Sequence, residues 1–232
     1  MKPTLVLLPG LLCDSALWQP QIKALEGDVN ILVADLTGHD NMPDLAKTVL
    51  SMAPERFVLV GLSMGGYVAM EMLRQDPTRI TQLALMDTTA RPDTDEGRRK
   101  RRGLIELAQR GDFKGVTPRL LPMLISAMRL QDDELTKLII DMAGRVGMPA
   151  FLKQQKAIMG RIDSRPHLSL IEVPTMIICG EQDALTPPEH AHEMVDHIKH
   201  AEVHIIPGAG HLSPLEQPTQ VNKILKKWLN LT

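Results

Sequence analysis

The stretch Phe57-Val-Leu-Val-Gly61-Leu62-Ser63-Met64-Gly65-Gly66 decides the fold of this 232-residue chain. Its apolar start runs into Gly-x-Ser-x-Gly, and an amphipathic run over 67–74 follows at once. That succession predicts strand, tight turn and helix, with Ser63 lifted at the strand end as a nucleophile. Ser63 then needs a positive φ, and Gly61 and Gly65 must leave room where neighbouring segments pass. Gly-x-Ser-x-Gly alone is a weak signal; the flanking strand and helix make it a strong one.

A serine becomes nucleophilic only beside a base that an acid orients. In a strand–turn–helix setting the order along the chain is Ser, then Asp or Glu, then His. Val173-Pro-Thr-Met-Ile-Ile-Cys179 reads as a buried strand ending at Gly180-Glu-Gln-Asp183, and Val203-His-Ile-Ile206 as a strand ending at Pro207-Gly-Ala-Gly-His211. Asp183 and His211 therefore fall just past strand carboxyl ends, the edge where open parallel sheets build sites. Asp87, after the strand at 80–86, is a rival acid, and Glu181 is a nearby alternative. Asp183 is preferred because it stands in the usual chain position. An oxyanion hole completes the set. One donor is the Met64 N–H at a helix start; the other is the Leu11 N–H, after the first strand Thr4-Leu-Val-Leu-Leu8 and the turn Pro9-Gly10.

Leu7-Leu-Pro-Gly-Leu11, Asp35-Leu-Thr-Gly-His39, Gly61-Leu-Ser-Met-Gly65, Gly180-Glu-Gln-Asp183 and Gly210-His-Leu-Ser-Pro-Leu-Glu216 together give a resemblance over nearly the whole chain. It resembles the α/β-hydrolase-fold superfamily, in particular small bacterial carboxylesterases and enol-lactonase-like serine hydrolases. The resemblance implies Ser63 as nucleophile, His211 as base, Asp183 as orienting acid, and Leu11 and Met64 as oxyanion donors. It implies hydrolysis of a small-molecule carboxylic ester with a small or medium acyl group, through an acyl-enzyme and with no cofactor. Thioester, lactone or carbon–carbon bond hydrolysis on the same triad, or a slow-turnover receptor, are the alternatives. Two departures stand out: Pro9-Gly10 replaces the usual His-Gly, and Gly38-His-Asp-Asn-Met42 replaces Gly-His-Gly-x-Ser.

Composition narrows the classes further. With 44% hydrophobic residues the chain can bury one substantial core. A net charge of −2 gives no electrostatic case for nucleic acid or an anionic membrane. The apolar runs are too short to span a bilayer, and the two cysteines, Cys13 and Cys179, read as reduced structural thiols, which together predict a cytoplasmic protein. The arginine-rich run 98–102 leads into an amphipathic helix and reads as a solvated surface. His190, His192, His197 and His200 lie on or near one polar helix and are expected to face solvent. His190-Ala-His192 lacks a third ligand, so no metal site is expected.

Strands are predicted at about 4–8, 30–34, 57–62, 80–86, 173–179 and 201–206, and helices near 15–26, 43–53, 64–75, 188–199 and 217–231. The alternation implies a mostly parallel six-stranded sheet with helices on both faces. Between Asp87 and Val173 the strand pattern stops, and apolar residues such as Leu104, Leu107, Leu135, Leu138 and Met142 recur at helical spacing. The expected organisation is a core of 1–91 and 169–232 with a helical lid insertion at 92–168. Its Gly and Pro punctuation predicts roughly four short helices. Met123, Met128, Met142, Met148 and Met159 would either line an acyl pocket or pack the lid. An exposed apolar lid surface would let two copies pair as a homodimer.

Overall fold

Residues 2–231 are described by a computed structural model. The short apolar runs form six strands: β1 (Thr4–Leu8), β2 (Asn30–Val33), β3 (Phe57–Leu62), β4 (Ile80–Met86), β5 (Thr175–Gly180) and β6 (Ala201–Ile206). They make one sheet in the order β2-β1-β3-β4-β5-β6, and every neighbouring pair is parallel. The chain winds outward from β1 to β2, then crosses back to β3 and proceeds the other way. The topological switch point therefore lies between β1 and β3, where the carboxyl ends of adjacent strands diverge and open a crevice.

Side chains alternate across each strand and sort the core into two layers. Leu5, Leu7, Val58, Val60, Met176 and Ile178 pack with Leu25 of α1 (Gln19–Leu25) and with Val221 and Leu225 of α9 (Pro218–Trp228). Val6, Leu8, Leu59, Leu83, Leu85 and Ile177 face the opposite side. There they meet Val49 of α2 (Met42–Met52), Val68 and Met72 of α3 (Met64–Gln75), and Met194 of α7 (Pro188–His197). Strands buried on both faces explain the unbroken apolar runs in β1, β3 and β5. Each fully buried Leu or Ile there is worth roughly 1.5–3 kcal/mol, so the centre of the sheet is the firmest platform for a site.

Among the described residues the segment between β4 and β5 contains no strand. Its helices are α4 (Asp95–Leu107), α5 (Leu121–Leu124) and α6 (Asp133–Met159), with short irregular turns between them. Thr94 caps α4 by accepting from Gly97 N–H at 2.9 Å, and Asp132 caps α6 by accepting from Leu135 N–H at 3.0 Å. The sequence predicts roughly four short helices here, whereas α6 alone is 27 residues long. It bends at Gly147, which takes φ 74° just ahead of Pro149. Proline lacks the N–H and crowds the preceding turn, so glycine absorbs the change of direction.

The predicted helix at 217–231 ends at Trp228, and a single turn, α8 (Ser213–Glu216), precedes it. Cys13 and Cys179 are both buried and unbridged. No described helix is long and apolar enough to cross a membrane.

Candidate active site

Ser63 sits between the end of β3 and the start of α3 with φ 54° and ψ −113°. Backbone in such a region costs on the order of 1–3 kcal/mol and persists only when its surroundings hold it. Here the Ser63 N–H donates to Met86 O of β4 at 2.9 Å, and Thr88 Oγ1 donates to Ser63 O at 2.8 Å. The flanking glycines are sterically required. A Cβ on Gly61 would lie 2.4 Å from Gly65 O, and one on Gly65 would lie 2.2 Å from Leu8 O. α3 can leave the sheet at this angle only because β1 and the turn meet hydrogen atoms there.

His211, from the loop after β6, brings Nε2 to 2.8 Å from Ser63 Oγ. Its Nδ1 faces Asp183 of the loop after β5, at 2.8 Å from Oδ2 and 3.0 Å from Oδ1. Asp183 is held from its other side by Leu185 N–H at 2.8 Å and by Thr186 N–H and Oγ1 at 3.0 and 2.8 Å. Burial raises the Asp183 pKa, but the charge and hydrogen bond of His211 and the Thr186 contacts outweigh it, so the carboxyl lies below its ordinary value. Burial alone would lower the His211 pKa; Asp183 overrides it and raises it. An imidazole in this setting takes up a proton more readily than a free one.

Asp87 is fully buried at the end of β4 with φ 45°, yet it bonds neither histidine nitrogen among the described residues. It accepts instead from Gly180 N–H at 2.8 Å and from Ser213 Oγ at 2.5 Å. Burial, followed by the nearby Asp183 charge, pushes its pKa well above the usual range. Asp87, Asp183 and Cys179 bring ligand-type atoms within 4.8 Å of one another. Every carboxylate oxygen in that group is already engaged by a donor, and burial raises the Cys179 thiol. The donor set therefore suits a proton-sharing cluster and not a cation.

Three supporting residues have no role that their sequence context alone suggests. Glu216, at the end of α8, clasps the histidine loop: Oε1 accepts from Gly210 N–H at 2.8 Å and Leu212 N–H at 3.3 Å, while Oε2 accepts from Ser126 N–H at 2.6 Å. Gln154 of α6 is buried and accepts from Leu12 N–H at 3.1 Å while donating to Leu36 O at 3.2 Å. It braces the loop after β1, whose Pro9-Gly10 departs from the usual pattern. Thr186 is the third. Glu216 stands inside the Gly210–Glu216 motif and Thr186 just past Asp183, but only the folded chain shows what they touch. Leu11 lies in the braced loop and its N–H makes no hydrogen bond among the described residues. Met64 opens α3, so its N–H has no carbonyl one turn earlier in the helix.

Ser63, His211 and Leu11 open into a cavity of about 630 Å³, walled mostly by apolar side chains of the segment between β4 and β5, including Leu104, Phe113, Ile139 and Phe151. Of the methionines, Met123 and Met142 line it, whereas Met128 is 77% exposed. Two surface assignments are corrected. His190 is half-buried and lines the cavity, so it does not simply face solvent. The basic run at 98–102 is not uniformly solvated: Arg101 turns inward to Asp93 and Gln155.

With this geometry in view, the chain compares closely with known hydrolases. It is 27% identical to the pimeloyl-[acyl-carrier protein] methyl ester esterase of Nitrosomonas europaea, over 94% of this chain and 92% of that protein. It is 24% identical to 3-oxoadipate enol-lactonase 1 of Acinetobacter baylyi, over 96% and 86%. Among solved structures, a thermophilic esterase from Thermogutta terrifontis superposes with TM-score 0.89 at 28% identity, covering 99% of this chain and 90% of that one. The enol-lactonase of Burkholderia xenovorans shares the fold with the same TM-score at 24% identity, over 99% and 92%. A family model described as the alpha/beta hydrolase family matches residues 5–224, from β1 into α9, and to that family the chain belongs.

Proposed function

We propose that this hydrolase cleaves carboxylic esters of small or medium acyl groups by a serine mechanism, under a lid formed by residues 92–168. Ser63 Oγ attacks the carbonyl while His211 Nε2 takes its proton, and Asp183 orients the ring and balances the charge it gains. The Leu11 and Met64 N–H groups receive the oxyanion; one such donor is typically worth about 3–4 kcal/mol in the transition state. The alcohol leaves with the proton from His211, and water activated by the same nitrogen clears the acyl-enzyme. The observation that carries this reading is the 2.8 Å approach of His211 Nε2 to Ser63 Oγ at the floor of a largely apolar cavity. A lactone is an internal ester that the same groups would open, and one relative is named an enol-lactonase.

The test is steady-state hydrolysis of p-nitrophenyl esters of increasing acyl length, with a simple lactone in parallel, by the wild type and Ser63→Ala. A loss on the order of 10⁶ in kcat is expected for Ser63→Ala, the scale seen when a serine protease loses its nucleophile. Equal turnover by both proteins would reject the serine mechanism. Fluorophosphonate labelling of Ser63 without turnover of any ester would favour the receptor alternative.

A further inference from the structure

Arg101 of α4 and Arg161, just past α6, both line the cavity onto which Ser63 opens. They share a single carboxylate, Asp93: Arg101 Nε donates to Oδ2 at 3.1 Å, and Arg161 Nη1 stands 3.6 Å from Oδ1. The Arg161 and Asp93 side chains are only 9% and 7% exposed. Two guanidinium groups against one carboxylate leave a net positive charge in the wall, with Arg161 held largely out of water and Arg101 24% exposed. Such a charge is costly unless a partner pairs with it. The remaining charges of the lining are balanced: Arg91 pairs with Glu193 at 2.8 Å, and Lys114 and Asp112 are opposite in sign and lie toward solvent.

Both guanidinium groups are held in place with one edge left over. Arg161 donates Nε to Arg91 O at 3.1 Å and Nη1 to Ile158 O at 3.0 Å, and its guanidinium carbon lies 4.3 Å from the Tyr67 ring centroid. Arg101 donates Nη1 to Gln155 Oε1 at 2.8 Å. The Nη2 group of each makes no hydrogen bond among the described residues. An ion pair that merely tied the segment to the core would need one arginine for Asp93, not two. Tyr67, on which Arg161 stacks, lines the same cavity as Ser63, so the charged wall and the attacking oxygen face one space.

We infer that this wall is a carboxylate subsite, and that the substrate is an ester carrying a free carboxylate at its far end, as in a hemi-ester of a short dicarboxylic acid. A monoanion matches the single excess charge, and a planar carboxylate matches guanidinium edges. A phosphate dianion would bring more charge than the wall offsets. The hydrolysis of such an ester rests on the serine esterase reading above; the subsite itself rests on the arginines.

The experiment compares kcat/KM for monomethyl glutarate and for the neutral methyl glutaramate, using wild type, Arg161→Gln and Arg101→Gln. The wild type is expected to prefer the hemi-ester by roughly tenfold or more, the scale of one charge-assisted contact, and each variant should bring that ratio toward one. Equal kcat/KM for the two esters in the wild type would overturn the inference. Calorimetric binding of monomethyl glutarate, methyl glutaramate and methyl 4-phosphonobutanoate to Ser63→Ala gives a readout free of turnover and of arginine-variant folding, with the same methyl ester at one end of all three. Binding of the hemi-ester but not of methyl glutaramate supports the subsite, and it does so even if neither ester is hydrolysed, in which case the esterase reading fails alone. Tighter binding of the phosphonate than of monomethyl glutarate would overturn the carboxylate assignment. Ser63-dependent hydrolysis without any preference for the hemi-ester would leave the esterase reading standing and remove the subsite.

Discussion

Two buried aspartates end adjacent strands, and their surroundings push them in opposite directions. Asp183 collects donors from His211, Leu185 and Thr186 and stays ionised, while Asp87, buried beside that charge, is driven toward the neutral acid. A neutral Asp87 donates its hydroxyl to Ser213 Oγ, reversing the bond that the carboxylate accepts, and Asp87→Asn mimics that form: its oxygen still accepts from Gly180 N–H, its amide donates to Ser213 Oγ, and Asn tolerates positive φ. Turnover within about threefold of wild type and stability within about 1 kcal/mol are expected, the latter measured by urea denaturation. Asp183→Asn should instead lower kcat by on the order of 10⁴, since the imidazole loses its orienting acceptor. The reverse ranking of the two variants would transfer the orienting role to Asp87. The raised His211 pKa gives a second expectation. Under the proposed mechanism His211 works only when neutral, and a raised pKa keeps it protonated to higher pH, so activity is expected to fall on acidification with a midpoint above 6.5, the ordinary histidine value. A pH profile of kcat/KM with its acid midpoint below that value would contradict the assignment.

Loops past strand ends are flexible by default, and the histidine loop is steadied by α8, one turn of helix. Glu216 closes that turn and holds the N–H groups on either side of His211, together with Ser126 from the segment between β4 and β5. Glu216→Ala would leave three buried donors unpaired at roughly 1–3 kcal/mol each. The expected result is a loss of several kcal/mol in chemical denaturation. Glu216→Gln keeps an acceptor for part of the set and should recover some of that loss, with kcat affected more than KM because the ring, not the pocket, is displaced. A fully stable Glu216→Ala protein would show that water replaces the carboxylate.

Across the molecule, the sheet, its parallel strands and the three side chains that meet at Ser63 follow from local signals. Apolar runs of strand length, the glycines beside Ser63, and the order of Ser63, Asp183 and His211 are each legible within a few residues, because strand burial and turn sterics are short-range constraints. The segment at 92–168 is legible as helical from its spacing, but the length of α6 and its bend at Gly147 are not. Helical periodicity runs on through an isolated glycine, and only packing selects whether the helix stops or turns there. Arg101 shows the same boundary: within 98–102 five basic residues look alike, and the rotation of α4 against α6 alone turns one of them inward to Asp93. In the sequence Asp87 reads as a rival acid, Glu216 as the end of a motif and Gln154 as an ordinary helical polar residue, and none of these readings shows what they touch. Their partners lie 93, 142 and 90 residues away in the chain, and contacts at such separations are set by how the layers stack. Local sequence thus specified the sheet and the side chains presented at its edge, since those depend on backbone sterics and apolar periodicity. The charge balance of the cavity and the bracing of its loops arise from side chains that meet only after folding.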